Sequence, residues 1–293
     1  MRVNLVGALV RNAPFATEIA FKKGLERIGH IVTSVDTSQK NQVWDYDADA
    51  TIVFKHLERE ECYEDLKRCS GKKIVYQPDD LRFVLIKKMM MDMRTYCDYA
   101  FTFDDSGARL AIEYGYKDAR RLLLTADDDL YKTIPGMRKD IDVSFIANLS
   151  NGPNHASRRR MVQVVKDAGF NILAGSCFDI KKVVEIYNRS KITLNHATDV
   201  GQIFGTGYGY QCRHFEAGLT KTCVLSNEVL NENVLGGFLV FNSEESLIER
   251  IEFLLSEESY RNSYAQRLYD ELHESHLPQH RAAEMIKIIE EFK

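Results

Sequence analysis

A glycine-rich stretch in the second half of the chain carries residue types suited to binding a phosphate. Residues 205–218 read GTGYGYQCRHFEAG, with Gly205, Gly207 and Gly209 ahead of a predicted helix. Glycines let a backbone approach a ligand closely, and the free N–H groups of a helix N-terminus suit a phosphate. Arg213 in the first turn opposes the helix dipole, a conflict that a bound diphosphate would relieve. The stretch therefore indicates an anion site, with a flexible turn before a structural helix as the alternative.

An acidic residue in the same predicted helix would extend the anion site to a nucleotide. Glu216 can accept two hydrogen bonds from a ribose diol, although an acid in a first helical turn is also favourable by itself. Asn195, which ends the preceding predicted strand, and Tyr210 complete this candidate set. The stretch lacks the G-x-G-x-x-G fingerprint and does not follow the first strand, so a dinucleotide-dependent oxidoreductase is the least favoured class.

A second candidate binding segment opens the second half of the chain. Residues 145–160 read FIANLSNGPNHASRRR, a strand followed by a polar loop and a helix start. Asn148 and Ser150 could bind polar groups of a ligand, and Arg158 could reach a phosphate. The alternative is an ordinary helix start with Ser157 as its N-cap and the arginines in solvent.

The first half of the chain offers carboxylates where predicted parallel strands end. Asp79 and Asp80 follow the strand in VYQPDD, where a carboxylate could act as the general base for an acceptor hydroxyl. Aspartates are also common in turns, which is the alternative for this pair. Gly7, Arg11 and Asn12 lie in or beside the loop after the first strand, where they could contact an acceptor.

Two groups of potential metal ligands do not make a convincing metal site. Residues 127–129 contain a D-x-D spacing, but they adjoin a predicted linker and are interpreted as structural. His273 and His276 could share a helix face, but Pro278 breaks the spacing to His280, and no Cys, Asp or Glu completes the set. We therefore predict no bound metal and no cofactor.

These residues must be positioned by two α/β domains. Apolar β-rich runs alternate with amphipathic helical patterns, which predicts parallel sheets covered by helices on both faces. Right-handed crossovers make each domain doubly wound. The predicted domains are 1–135 and 141–275, followed by a helical tail at 276–293, with a polar linker between the two domains.

Composition sets broad limits on the function. The chain has 293 residues, 44% hydrophobic and 28% charged, with a net charge of −4 that argues mildly against nucleic acid as a partner. Its six cysteines form no C-x-x-C pair and are expected to be reduced. Neither a signal peptide nor a membrane-length apolar run is apparent, so we expect a cytoplasmic location.

Taken in order, several motifs resemble those of the CgeB-like (spore-maturation type) glycosyltransferases, a group within the GT-B nucleotide-sugar enzymes. The matching pieces are VSFIANLS with its arginine-rich helix start, YNRSKITLNHA, RHFEAGLTKTCVLSN, FNSEESLIERIEFLLS and HLPQHRAAEMI. They cover most of residues 141–290. The first half is similar only in its general sequence pattern, in the segments CDYAFTFDDSGARLAIEYGY and LLLTADDDLY.

This resemblance implies a GT-B fold of two facing Rossmann-like domains. The nucleotide sugar, with a UDP-sugar favoured, would bind mainly to the second domain and the acceptor to the first, with the tail helix crossing back to the first. Glu216 would contact the ribose, and Arg213 with the glycine-loop amides would bind the diphosphate without a metal. The acceptor stays open between a glycan, a protein, a small molecule and a modified DNA base. The alternatives are a non-catalytic nucleotide- or sugar-binding protein of this fold and a phage-type DNA-base glycosyltransferase.

Overall fold

The chain divides into two compact units. The computed structural model describes residues 1–9, 17–197, 210–227 and 234–293. One unit combines Met1–Asp127 with Leu277–Lys293, and the other is Asp128–His276. The polar segment interpreted as a linker therefore belongs to the second unit from Asp128 onward, and the C-terminal tail belongs to the first from Leu277 onward.

The first unit is built on a six-stranded parallel sheet with the order β2-β1-β3-β4-β5-β6. Its strands are β1 Arg2–Gly7, β2 Ile31–Asp36, β3 Ala50–Phe54, β4 Lys72–Gln77, β5 Tyr99–Thr102 and β6 Asp118–Arg121. The helices between them are α1 Thr17–Arg27, α2 Glu60–Arg68, α3 Val84–Met93 and α4 Asp105–Glu113. Successive strand residues point to opposite faces of a sheet, and Leu5 and Val6 of β1 are both fully buried. Helices and loops therefore cover both faces of this sheet.

The second unit has a five-stranded parallel sheet with the order β11-β10-β9-β7-β8. Its strands are β7 Ile141–Ile146, β8 Ile172–Gly175, β9 Ser190–Asn195, β10 Cys223–Asn227 and β11 Leu239–Phe241. Its helices are α5 Ala156–Asp167, α6 Ile180–Arg189, α7 Cys212–Leu219, α8 Glu244–Ser256 and α9 Glu258–Ser275. The last helix of the chain, α10 Pro278–Glu291, belongs to the first unit.

Helix α10 packs closely on α1 within the first unit. A Cβ added at Gly24 of α1 would lie 2.1 Å from the carbonyl oxygen of Pro278 and 3.1 Å from the Cβ of Ala282. Only a glycine allows the two backbones to approach this closely. The contact joins the C-terminal segment to the helix that follows the first strand.

Each sheet reverses its strand order beside its first strand. In the first unit β1 lies between β2 and β3, and in the second unit β7 lies between β8 and β9. Open α/β sheets bind ligands outside the carboxyl ends of the strands where the order reverses. We call the ends of β1 and β3, at Gly7 and Phe54, the first switch point. The ends of β7 and β9, at Ile146 and Asn195, are the second switch point.

The predicted fold class, two doubly wound α/β domains with parallel sheets, is confirmed. Helix α3 carries weak sequence signals: its sequence VLIKKMMMDM has little polar alternation, and its N-cap Phe83 makes no side-chain capping bond. A capping residue and an amphipathic pattern are the two signals that mark a helix in a sequence.

Candidate functional site

Arg213 is fixed at the second switch point. It lies in the first turn of α7, and its Nε donates to the carbonyl oxygen of Ile146 at 2.7 Å. Its Nη1 donates to Oδ1 of Asn195, also at 2.7 Å. Asn195 is buried and donates from Nδ2 to Oγ of Ser226 at 3.0 Å. The guanidinium therefore joins the carboxyl ends of the two strands that flank the order reversal.

The charge of Arg213 is not neutralised by an ion pair in the described part of the chain. Both of its hydrogen-bond acceptors are uncharged oxygens, and its guanidinium carbon lies 5.2 Å from the ring centre of Phe145. The N-terminus of α7 adds a partial positive charge at the same place. A planar guanidinium has five N–H donors, and two of them already hold Arg213 in position. The remaining donors and the positive charge suit this part of the second unit to binding an anion.

Glu216 lies one helical turn away with each carboxylate oxygen in a hydrogen bond. Tyr131 donates to Oε1 at 3.2 Å and Tyr187 donates to Oε2 at 3.1 Å. Burial raises the pKa of the Glu216 carboxyl, while Arg213 and the two tyrosine hydroxyls act in the opposite direction. A carboxylate has about four acceptor positions, so each oxygen can still accept a further hydrogen bond.

Tyr131 reaches Glu216 because Asn188 of α6 holds the backbone around it. The Asn188 Nδ2 donates to the carbonyl oxygen of Lys132 at 3.0 Å, and its Oδ1 accepts from the backbone N–H of Ile134 at 2.7 Å. Sequence reasoning missed both tyrosines as site residues. The only signals were the position of Tyr131 in LLLTADDDLY and of Tyr187 in YNRSKITLNHA.

The second candidate segment contributes one residue near the switch point. Arg158 is buried, and its Nε donates to the carbonyl oxygen of His196, directly after β9, at 2.9 Å. Asn148 and Ser150 are exposed and form a local turn in which Asn148 Oδ1 accepts from the Ser150 N–H at 2.9 Å. Ser157 is not the N-cap of α5, because the helix begins at Ala156.

Tyr210, predicted as a ligand contact, packs within the second unit, and its role in binding stays a prediction. Its side chain is fully buried. Its hydroxyl accepts from the backbone N–H groups of Val234 and Leu235 at 3.2 and 3.1 Å. The Tyr210 side chain therefore holds the backbone at Val234 and Leu235 against the unit.

Several predicted site residues lie outside the described residues, and their predictions stay untested. They are Arg11 and Asn12 of the acceptor-side loop and Gly205, Gly207 and Gly209 of the glycine-rich stretch.

The first switch point holds charged residues from three elements. Gly7 ends β1, and the carboxylate of Glu18 from the first turn of α1 lies directly over it. Lys55 follows β3, and its Nζ is 3.0 Å from Oδ2 of Asp79, which follows β4. Both members of this ion pair are partly exposed. Glu18 and Lys55 had no sequence signal, because neither belongs to a motif.

Asp80, predicted as a general base, binds Arg82, and its role stays a prediction. It is buried, and its Oδ1 accepts from the backbone N–H of Arg82 at 2.9 Å and from its Nε at 2.7 Å. The Arg82 Nη2 also donates to Oδ2 of Asp80. Both oxygens of the Asp80 carboxylate therefore accept hydrogen bonds from Arg82 within one turn.

The described residues contain no group of three or more His, Cys, Asp or Glu side chains placed to hold a metal ion. Asp127, from the D-x-D spacing, is buried and pairs with Lys23 at 2.7 Å. Within the same residues, no helix combines the length and apolar character that crossing a membrane requires.

Comparison with known proteins agrees with this architecture. A family model described as glycosyl transferase-like matches residues 155–287, whereas no curated protein matches the chain. An alpha-glucosyltransferase in complex with UDP and a 13-mer DNA superposes with a TM-score of 0.70 at 14% identity, over 99% of both chains. T4 phage beta-glucosyltransferase gives 0.66 at 14% identity, over 99% of both chains. HepE of Anabaena in complex with UDP-glucose gives 0.66 at 9% identity, over all of both chains.

These comparisons confirm the predicted GT-B fold for the chain as a whole. The family match covers α5 through most of α10 and includes Arg213 and Glu216. The chain thus has the GT-B fold, and its residues 155–287 match a glycosyl transferase-like domain.

Proposed function

We propose that this protein is a glycosyltransferase that moves a sugar from a UDP-sugar to an acceptor hydroxyl without a metal ion. The observation that carries the proposal is the placement of Arg213 at the second switch point, with its charge unpaired among the described residues and Glu216 one turn away. A cation and a carboxylate at this spacing suit the diphosphate and the ribose of one nucleotide.

Three features support a UDP-sugar as the donor. Two of the solved structures that share the fold contain UDP or UDP-glucose. The free acceptor positions on Glu216 suit a ribose with both hydroxyls. The resemblance to CgeB-like enzymes, carried by YNRSKITLNHA and RHFEAG, points to the same donor class.

The proposed chemistry depends on stabilising the leaving diphosphate. Negative charge grows on the diphosphate as its bond to the sugar breaks, and fixed positive groups lower the free energy of that transition state. Arg213 and the N-terminus of α7 are such groups, and the bonds to Ile146 and Asn195 fix the guanidinium before the donor binds. In this proposal Arg213 and the N-terminus of α7 stabilise the leaving diphosphate, which a metal ion does in other transferases.

A modified DNA base is a specific candidate for the acceptor. Two similar structures are a glucosyltransferase bound to DNA and an enzyme described as DNA modifying. Transfer to DNA would require a hydroxyl group on the base, and the net charge of −4 gives no general attraction to the backbone. A glycan, a protein or a small molecule therefore remains an equal candidate.

Calorimetric titration tests the donor site. We expect UDP and UDP-glucose to bind, while NAD does not, because the chain lacks the dinucleotide fingerprint. Release of UDP from UDP-glucose, measured with water and with hydroxyl acceptors that include a hydroxymethylated DNA duplex, then tests catalysis. Binding without release on any acceptor would favour the non-catalytic alternative, and failure of every nucleoside diphosphate to bind would refute the proposal.

A further inference from the structure

The first switch point contains a buried carboxylate that the donor site does not use. Glu18 is only 6% exposed. A Cβ built on Gly7 would lie 3.2 Å from its Oε1 and 3.3 Å from its Cγ. Glycine at the end of β1 therefore leaves the space that this carboxyl group occupies, at the place where open α/β sheets bind ligands.

A strained lysine adjoins this carboxylate. Lys55, directly after β3, has a φ of 66°, which is rare for a residue other than glycine. Its Nζ pairs with Asp79 at 3.0 Å, and its charge also acts on Glu18. Backbone strain of this kind costs about 1–3 kcal/mol and is concentrated at functional sites. The strained backbone of Lys55, the buried carboxylate of Glu18 and the reversal of strand order thus all lie at the first switch point.

We infer that Glu18 is the general base that takes the proton of the acceptor hydroxyl. This inference rests on the proposed function. The acceptor oxygen forms a bond to C1 of the sugar while the bond from C1 to the diphosphate oxygen breaks. The bonding electron pair leaves with the diphosphate, and the hydroxyl proton moves to an oxygen of Glu18. Displacement in one step inverts the configuration at C1.

Glu18 suits this role better than the two aspartates expected from the sequence. Asp80 is bound on both oxygens by Arg82, and Asp79 is partly exposed and ion-paired with Lys55. Burial raises the pKa of the Glu18 carboxyl, its own backbone N–H and Lys55 oppose this rise, and Asp79 adds to it. A carboxylate with a raised pKa accepts a proton more readily near neutral pH.

The first test is UDP release from UDP-glucose with water as the acceptor. Glu18→Gln should lower the release rate about 100-fold or more, the usual contribution of general-base catalysis, with UDP affinity by calorimetry unchanged within about twofold. The wild-type rate should rise with pH along a limb that Glu18→Gln lacks. Glu18→Asp, which moves the carboxylate by one methylene, should keep the limb at a reduced rate. Glu26→Gln, on the exposed side of the same helix, is the matched control and should behave as wild type.

The second test is the anomeric form of the product. UDP-glucose carries an α-linked sugar, so NMR of freshly released glucose should show the β-anomer first. An α-product, or wild-type release with the same pH limb in Glu18→Gln, would overturn the inference. Loss of activity in Asp79→Asn but not in Glu18→Gln would assign the base to Asp79. A wild-type chain that binds neither UDP nor UDP-glucose would instead refute the proposed function.

Discussion

The two switch points have the same topology and opposite electrostatics. At the second, a cation joins the strand ends through two uncharged acceptors, Ile146 and Asn195, so its charge remains available to a ligand. At the first, a carboxylate is buried over Gly7 beside the ion pair of Lys55 and Asp79. One doubly wound architecture thus presents a fixed cation in one unit and a buried carboxylate in the other, because the residues that follow the strands differ.

Removing the cation of the second switch point should have the largest effect. Arg213→Met keeps much of the side chain's length but removes the charge and both hydrogen bonds. We expect kcat/KM for UDP release to fall about 100-fold to 1,000-fold, the usual cost of losing a donor that stabilises a developing anion.

Arg250→Met, an exposed arginine of α8, is the control for general loss of positive charge. A wild-type kcat/KM in Arg213→Met would remove the anion-binding role from the second switch point and with it the contrast between the two units.

Titratable groups near the two switch points should respond to pH in opposite directions. His214, beside Arg213, is fully buried, and its Nε2 has no partner among the described residues. Burial lowers its pKa from 6.5 to about 4. The unfolded chain therefore binds a proton that the native state excludes, and stability falls as the pH drops from the ordinary histidine pKa toward that of the native state.

Across the whole range from pH 6.5 to about pH 4, His214 should lower the free energy of unfolding by about 3 kcal/mol, since one pKa unit is worth about 1.4 kcal/mol. Urea unfolding at about pH 7 and about pH 5 should show a smaller loss of stability in His214→Gln than in wild type. His273→Gln, an exposed histidine of α9, should keep the wild-type loss. For Glu18 the sign is reversed. Its pKa is raised in the native state, so the native state binds a proton that the unfolded chain has already lost. Stability therefore falls as the pH rises from the ordinary carboxyl pKa toward the raised pKa of the native state.

The sequence predicted the architecture but named only some of the residues that lie together at each candidate site, for a physical reason. Helix and strand periods, turn residues and the βα alternation are local, so both sheets could be predicted. Arg213 and Glu216 could be proposed as site residues because they share one helix turn after a glycine-rich stretch. Tyr131 reaches Glu216 across 85 residues of sequence, and Glu18 gains its importance from burial over Gly7. Contacts that depend on the tertiary fold have no local pattern.

Glu216→Ala should have a smaller effect than Arg213→Met, because it removes acceptors for neutral hydroxyls and no charge partner of the diphosphate. We expect UDP affinity to fall about 10-fold to 30-fold, or roughly 1.4–2 kcal/mol, in the range for hydrogen bonds to a charged group. Wild type should bind UDP more tightly than 2′-deoxy-UDP, and calorimetry should show that Glu216→Ala loses this preference. An unchanged preference would separate Glu216 from the ribose.

Tyr131→Phe should have the smallest effect, and it tests whether the second switch point is preorganised. The variant removes one hydroxyl that donates to Oε1 of Glu216 and leaves Tyr187 on Oε2. Loss of one such bond should weaken UDP binding by about 1 kcal/mol, or roughly fivefold. Because the hydroxyl acts through Glu216, the same substitution in a Glu216→Ala background should change UDP affinity very little, which a double-mutant cycle measures. Equal losses in both backgrounds would mean that Tyr131 contacts the nucleotide directly, and the second switch point would then bind its ligand with a neutral hydroxyl as well as with its charged residues.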